Sequence, residues 1–145
     1  MMCSGDAVPQ LAEANPLVQD RARILVVDDD AEQVEVLTVA LNRQGFETIS
    51  AHTAADGLLL AREHRPNLII LDIRLPDGNG LDLCQVLSDD PRTNSIPVII
   101  LSGMERPDII RSCRAAGCRY YVRKPYDPNA LLVLAENALC HPDCW

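Results

Sequence analysis

Asn67-Leu-Ile-Ile-Leu-Asp72-Ile-Arg-Leu-Pro-Asp-Gly-Asn-Gly80 decides how the rest of this chain is read. Leu68 to Leu71 run without a polar break into one carboxylate, Asp72, and the Pro76-to-Gly80 cluster then stops any further strand. A short continuous apolar run suits a strand buried on both faces of a parallel sheet. Asp72 then stands at the carboxyl end of a central strand, the edge at which open α/β sheets bind their ligands. By itself Asp72 reads better as the first residue of the next turn, so a functional meaning depends on what other strands deliver to the same edge.

On the N-terminal side, Ile24-Leu-Val-Val27 is a second buried run and ends in Asp28-Asp29-Asp30. Asp30 can cap a helix from Ala31 to about Gln44, with Val34, Leu37 and Leu41 on one face and Gly45 closing it. Phe46 to Ala51 alternates, as an edge strand does. Thr53 caps a helix from Ala54 to about His64, whose Leu58, Leu59 and Ala61 form the expected buried stripe. On the C-terminal side, a helix over Leu81 to Leu87 carries Leu83, Val86 and Leu87 and breaks at Asp89-Asp90-Pro91. Ile96 to Leu101 is a fourth strand, with Pro97 tolerated only near its start. A helix over Pro107 to Ala116 carries Ile109, Ile110 and Cys113 and stops at Gly117. Arg119 to Val122 is a fifth strand. Asp127 caps a last helix that has Pro128 at its first position and Leu131, Leu134, Ala135 and Ala138 inward. Five strands alternating with five helices predict an α/β domain, a doubly wound parallel sheet with helices on both faces.

The 145 residues suffice for one domain with a real core. Aromatic residues are only 3% of the chain, so that core must be aliphatic. A net charge of −8 argues against direct nucleic-acid binding and against anionic membranes. No apolar run reaches the roughly 20 residues of a membrane helix, and the first residues lack signal-peptide character, which predicts a cytoplasmic protein. Residues 1–21 read as a flexible N-terminal arm, 22–140 as the domain and 141–145 as a short tail. Cys84 and Cys113 fall in helical patterns as small buried hydrophobes. Cys140-His-Pro-Asp-Cys144 offers a weak metal or disulfide motif, with no second ligand pair of zinc-like spacing nearby.

Every buried strand ends in a polar group: Asp28 and Asp29, then Asp72, Ser102 and Lys124. In a parallel sheet these ends share one edge. Three carboxylates brought together require a cation, shared protons or a nearby lysine. Oxygen ligands without Cys or His point to Mg2+, which favours a phosphate as a further ligand. With a hydroxyl and an ammonium added, the site suits a phosphoryl group and a carboxylate nucleophile, for which Asp72 on the central strand is the best candidate.

Ile24-Leu-Val-Val-Asp-Asp-Asp30, Leu68-Ile-Ile-Leu-Asp-Ile-Arg-Leu-Pro76 with Gly80, Val98-Ile-Ile-Leu-Ser-Gly103 and Tyr121-Val-Arg-Lys-Pro125 resemble, in order, the receiver domains of two-component response regulators. The resemblance spans about residues 22–140. It implies a flavodoxin-like strand order 2-1-3-4-5 and phosphorylation of Asp72 by the phosphohistidine of a sensor histidine kinase or a phosphotransfer protein. It also implies Mg2+ held by Asp29, Asp72 and the Arg74 carbonyl, with Asp28 acting largely through water. Lys124 would pair with the phosphoryl oxygens, Lys124-Pro125 would be a cis peptide, and Ser102 with Tyr121 would form the switch. Ser102 stands where the family often has Thr, and Gly103 leaves a gap for the phosphodonor. The Arg74 side chain would project near the phosphorylation site.

On this reading the chain is a phosphoacceptor that assists its own modification and is no conventional enzyme. Its output face runs from about Pro107 to Ala138, for a downstream effector protein or for a homodimer. The last helix ends about five residues before the chain does, which leaves a single-domain regulator or a fragment of a longer one. Two rivals differ in class. A phosphatase of the haloacid-dehalogenase type needs a second Asp where Arg74 stands. A pseudo-receiver interaction module usually lacks part of the acidic set, which is complete here. A dinucleotide-binding domain is excluded, since no G-x-G-x-x-G or P-loop follows the first strand.

Overall fold

The structure, a computed structural model, describes residues 21–103 and 108–140. The expected arm (apart from Arg21), the tail and the Cys140–Cys144 motif (apart from Cys140) lie outside the described residues. Five strands, β1 (Arg23–Val27), β2 (Glu47–Ala51), β3 (Leu68–Asp72), β4 (Val98–Ser102) and β5 (Tyr120–Arg123), form one sheet. All its pairings are parallel and its order is β2-β1-β3-β4-β5. The connecting helices are α1 (Ala31–Arg43), α2 (Ala54–His64), α3 (Gly80–Asp89), α4 (Ile109–Ala115) and α5 (Pro128–Cys140). This is the doubly wound, flavodoxin-like sheet expected from the sequence.

Continuous apolar strands feed two cores because successive side chains point to opposite faces. Leu25, Val27, Ile69, Leu71 and Ile100 pack with Ala61, Leu83, Leu87 and Ile109 from α2, α3 and α4. Ile24, Val26, Leu68, Ile70 and Ile99 pack with Val34, Leu37 and Leu41 of α1 and Leu131, Ala135 and Ala138 of α5. Both central strands β3 and β4 are buried along their whole length. Each such Leu or Ile contributes roughly 1.5–3 kcal/mol relative to exposure. Cys84, Cys113 and Cys118 are buried free thiols in the first core, and burial pushes Cys84 and Cys118 up to about 12, so they remain neutral.

Capping fixes where the helices begin. Asp30 accepts from the Glu32 and Gln33 amides, Thr53 from Asp56, Asn79 from Leu81, and Asp127 from Asn129. Gly45 follows α1 with φ +93°, the left-handed geometry that glycine adopts without cost.

Several element details differ from the sequence reading. Helix α3 starts earlier, at Gly80, because the Asn79 side chain caps it, and it continues to Asp89. Strand β4 begins at Val98 rather than Ile96: Pro97 offers the ladder only its carbonyl, which accepts from Ile69. Strand β5 is shifted one residue on, to Tyr120–Arg123, and α4 is shorter than expected among the described residues. Leu59 is 52% exposed and Val86 41%, so neither belongs to an inner stripe. Gly57 and Ala61 turn inward instead, and their small size lets α2 lie close on β1, where a Cβ at Gly57 would sit 3.1 Å from Val27 Cγ2. Ile110 likewise faces solvent, while Ile109 and Cys113 are buried.

Candidate functional site

The strand register assembles the site. Val27 of β1 pairs with Leu71 of β3, so the next residues, Asp28 and Asp72, leave adjacent strands side by side. Both are buried, while Asp29 is exposed. One carboxylate oxygen from each of Asp28, Asp29 and Asp72 can be chosen so that all three lie within 4.8 Å of one another. Lys124 arrives from the end of β5, its amide donating to the Ser102 carbonyl at 2.7 Å. Its Nζ donates to Asp72 Oδ2 at 2.8 Å and to Asp28 Oδ2 at 3.5 Å. The Lys124–Pro125 peptide is cis.

Backbone contacts aim these side chains. The Asp28 amide donates to Ala51 O (3.1 Å) and its Oδ1 accepts from the Asp30 amide (3.0 Å). Asp72 Oδ1 accepts from the Arg74 amide at 3.2 Å. Beyond Asp72 the chain makes a small antiparallel turn, Arg74–Leu75 against Gly78–Asn79, and returns so closely that the Gly80 amide donates to Ile73 O at 2.6 Å. A Cβ at Gly80 would collide with the Asp72 carbonyl oxygen, so glycine there keeps the return path open.

Charge is the dominant problem of this pocket. Burial pushes the Asp28 carboxyl up to about 6, and the neighbouring Asp72 adds to this against the pull of the Asp30 amide and Lys124. Burial acting alone would lower Lys124, but its hydrogen bond to Asp72 and the charges of Asp72 and Asp28 outweigh that and hold it above the usual lysine range. One ammonium therefore bonds only two of the three clustered carboxylates. An all-oxygen donor set with surplus negative charge fits a hard divalent cation such as Mg2+.

Ser102, 1% exposed, ends β4 beside β3, whose Asp72 pairs with Leu101. Tyr121 is half-buried, pairs with Ile100 and packs against the α2–α4 core, whereas Tyr120 packs on the other face. Ile100 and Ser102 are two residues apart, so Tyr121 and Ser102 share one face of the sheet. A Cβ on Gly103 would meet nothing within 4 Å, which leaves open space after Ser102. The Arg74 side chain is exposed. A cleft of about 510 Å³ opens next to Lys124, lined also by Asp30, Gln33, Val36 and Tyr126.

Two residues that sequence reasoning passed over touch the site's loops. His52 Nδ1 lies 3.0 Å from the Asp28 carbonyl, and the Asp77 carboxylate accepts from the Ala54 and Ala55 amides. His52 follows the edge strand directly, so its position at the shared sheet edge was a usable signal. Asp77 is indistinguishable in sequence from an ordinary turn residue.

Strand-end carboxylates on a 2-1-3-4-5 parallel sheet, with a lysine between them and a serine on the next strand, define an α/β domain of the receiver class. The response regulator receiver domain model matches residues 24–136, and the chain belongs to that family. The chain is similar to the DNA-binding response regulator MtrA of Mycobacterium tuberculosis, with 38% identity over 124 residues, 85% of this chain and 53% of MtrA. Protein PilH of Pseudomonas aeruginosa is 35% identical over 111 residues, 77% of this chain and 92% of PilH. A CheY-like response regulator receiver domain protein from Methanospirillum hungatei matches in structure with a TM-score of 0.80 at 28% identity, covering 85% of this chain and 97% of that one. The chain thus spans about half the length of MtrA and most of that of PilH. No described helix is long and apolar enough to cross a membrane.

Proposed function

We propose that this domain is a phosphorylation-controlled switch in which Asp72 is the phosphoacceptor. The observation that carries the reading is Asp72 itself: buried at the end of the central strand, 2.8 Å from Lys124, with two further carboxylates within 4.8 Å. The phosphodonor is a phosphohistidine on a sensor histidine kinase or a phosphotransfer protein. An Asp72 oxygen forms the new bond to phosphorus as the bond to the imidazole nitrogen breaks, and that nitrogen takes a proton from solvent. Lys124 balances charge on the transferred group, and Asp72 is already oriented by the Arg74 amide. Asp28, Asp29, Asp72 and the Arg74 carbonyl are the groups that would hold Mg2+, which when bound neutralises the phosphoryl oxygens. The domain modifies only its own side chain and turns over no separate substrate.

Phosphorylation replaces a carboxylate with a group of greater charge and stronger acceptors. Lys124 and the Ser102 hydroxyl interact with that group differently from the bare carboxylate, and this difference shifts a two-state equilibrium. Ser102 and Tyr121 share a face of the sheet, which supports carrying the shift to α4, β5 and α5. We assign that surface to a downstream effector protein, or to a second copy of the chain. The net charge of −8 argues against direct nucleic-acid contact by these residues. The test is binding of an effector with and without acetyl phosphate and Mg2+. Wild type should respond and Asp72→Asn should not; an identical response from both would end the switch reading.

A further inference from the structure

The two acidic loops are tied to a single turn. His52 Nδ1 approaches the Asp28 carbonyl at 3.0 Å, and since a carbonyl can only accept, Nδ1 carries the proton. Asp77, five residues beyond Asp72, accepts from the Ala54 amide at 2.7 Å through Oδ1 and from the Ala55 amide at 3.0 Å through Oδ2. These are charge-assisted bonds at the start of an 11-residue helix, where a carboxylate is favoured. They hold the Asp77 carboxyl below the usual carboxylate range. Both grips fall at the junction of β2 and α2, His52 in the turn itself and Ala54 with Ala55 in the first turn of the helix that Thr53 caps.

We infer that this turn is a brace that fixes the spacing of Asp28 and Asp29 against Asp72, which makes His52 and Asp77 positioning residues for the cation. The inference rests on the receiver reading above. Three like charges within 4.8 Å push their loops apart, and Lys124 offsets only part of that repulsion. A loop free to open would have to be closed by the cation as it binds, and affinity would fall accordingly. His52 grips the backbone of Asp28 rather than its carboxylate, and Asp77 fastens the loop that Gly80 closes on Asp72. Neither residue need touch the cation to act on it.

The test is calorimetric titration of the full chain with MgCl2, alongside cation-free melting curves. His52→Ala and Asp77→Ala are each expected to weaken Mg2+ binding by about 10-fold, the scale of groups that orient metal ligands. His52→Asn, whose amide nitrogen can stand where Nδ1 stands, should recover most of that loss. Asp77→Asn keeps one acceptor oxygen, should give an intermediate affinity, and covers the case in which Asp77→Ala does not fold. The double Ala variant should lose less than the product of the single losses, because a brace released at one end no longer holds the other. Unchanged Mg2+ affinity in the single variants, a lowered melting temperature with unchanged affinity, or a fully multiplicative double variant would each overturn the brace. A wild-type chain that bound no Mg2+ would overturn the receiver chemistry and the brace together.

Discussion

Asp28 carries a charge that burial disfavours. Its folded carboxyl titrates near 6, above the ordinary 3.8, so folding favours the protonated form. That contribution is fully present below about pH 3.8 and is lost as pH rises through about 6. The cation-free protein should therefore melt lower at pH 7 than at pH 5, by the equivalent of roughly 1 kcal/mol, and Mg2+ should narrow the gap. Asp28→Asn should remove most of this pH dependence and raise cation-free stability at pH 7 while weakening Mg2+ binding, as read by melting curves and titration. Asp90 acts in the opposite sense. Arg92 and Arg62 hold its carboxyl below the usual range, so its contribution is present at neutral pH and lost only on strong acidification. Asp28 and Asp72 were legible in the sequence because each follows an apolar strand run, and Lys124 because it stands at the end of the fifth strand. The contacts of His52 and Asp77 were not, because they depend on how closely a turn from elsewhere in the chain approaches.

Elements carry the site through close approaches that side-chain size controls. Gly80→Ala should cost at least about 1–3 kcal/mol in urea denaturation and disturb Asp72, because the added methyl meets backbone atoms of Asp72 and Ile73. Gly78→Ala, with open space around it, should stay within about 0.5 kcal/mol. The same contrast holds in α2. Leu59→Gln should be nearly neutral, whereas Ala61→Leu should cost about 1–3 kcal/mol by forcing the helix off the sheet. Hydrophobicity marks Leu59 as core and overlooks Gly57, since periodicity counts apolar character and not the distance at which a helix packs. Strand β4 shows a related limit: Ile96 continues the apolar run, but Pro97 cannot donate to the ladder.

At the scale of the molecule, topology does the assembling. Residues as distant in sequence as Asp28 and Lys124 meet because every strand of a parallel sheet ends at the same edge, and β1 and β3 are neighbours in the 2-1-3-4-5 order. Alternating strand and helix patterns were enough to read that much from the sequence, as were the acids, the serine and the lysine at the strand ends. On the function proposed above, this edge makes Asp72 a phosphoacceptor. The most direct test is intact-protein mass after treatment with acetyl phosphate. Wild type with Mg2+ should gain one phosphoryl group, with none after chelation of the cation and none on Asp72→Ala. An unmodified wild-type chain in Mg2+, or a modified Asp72→Ala, would contradict that function.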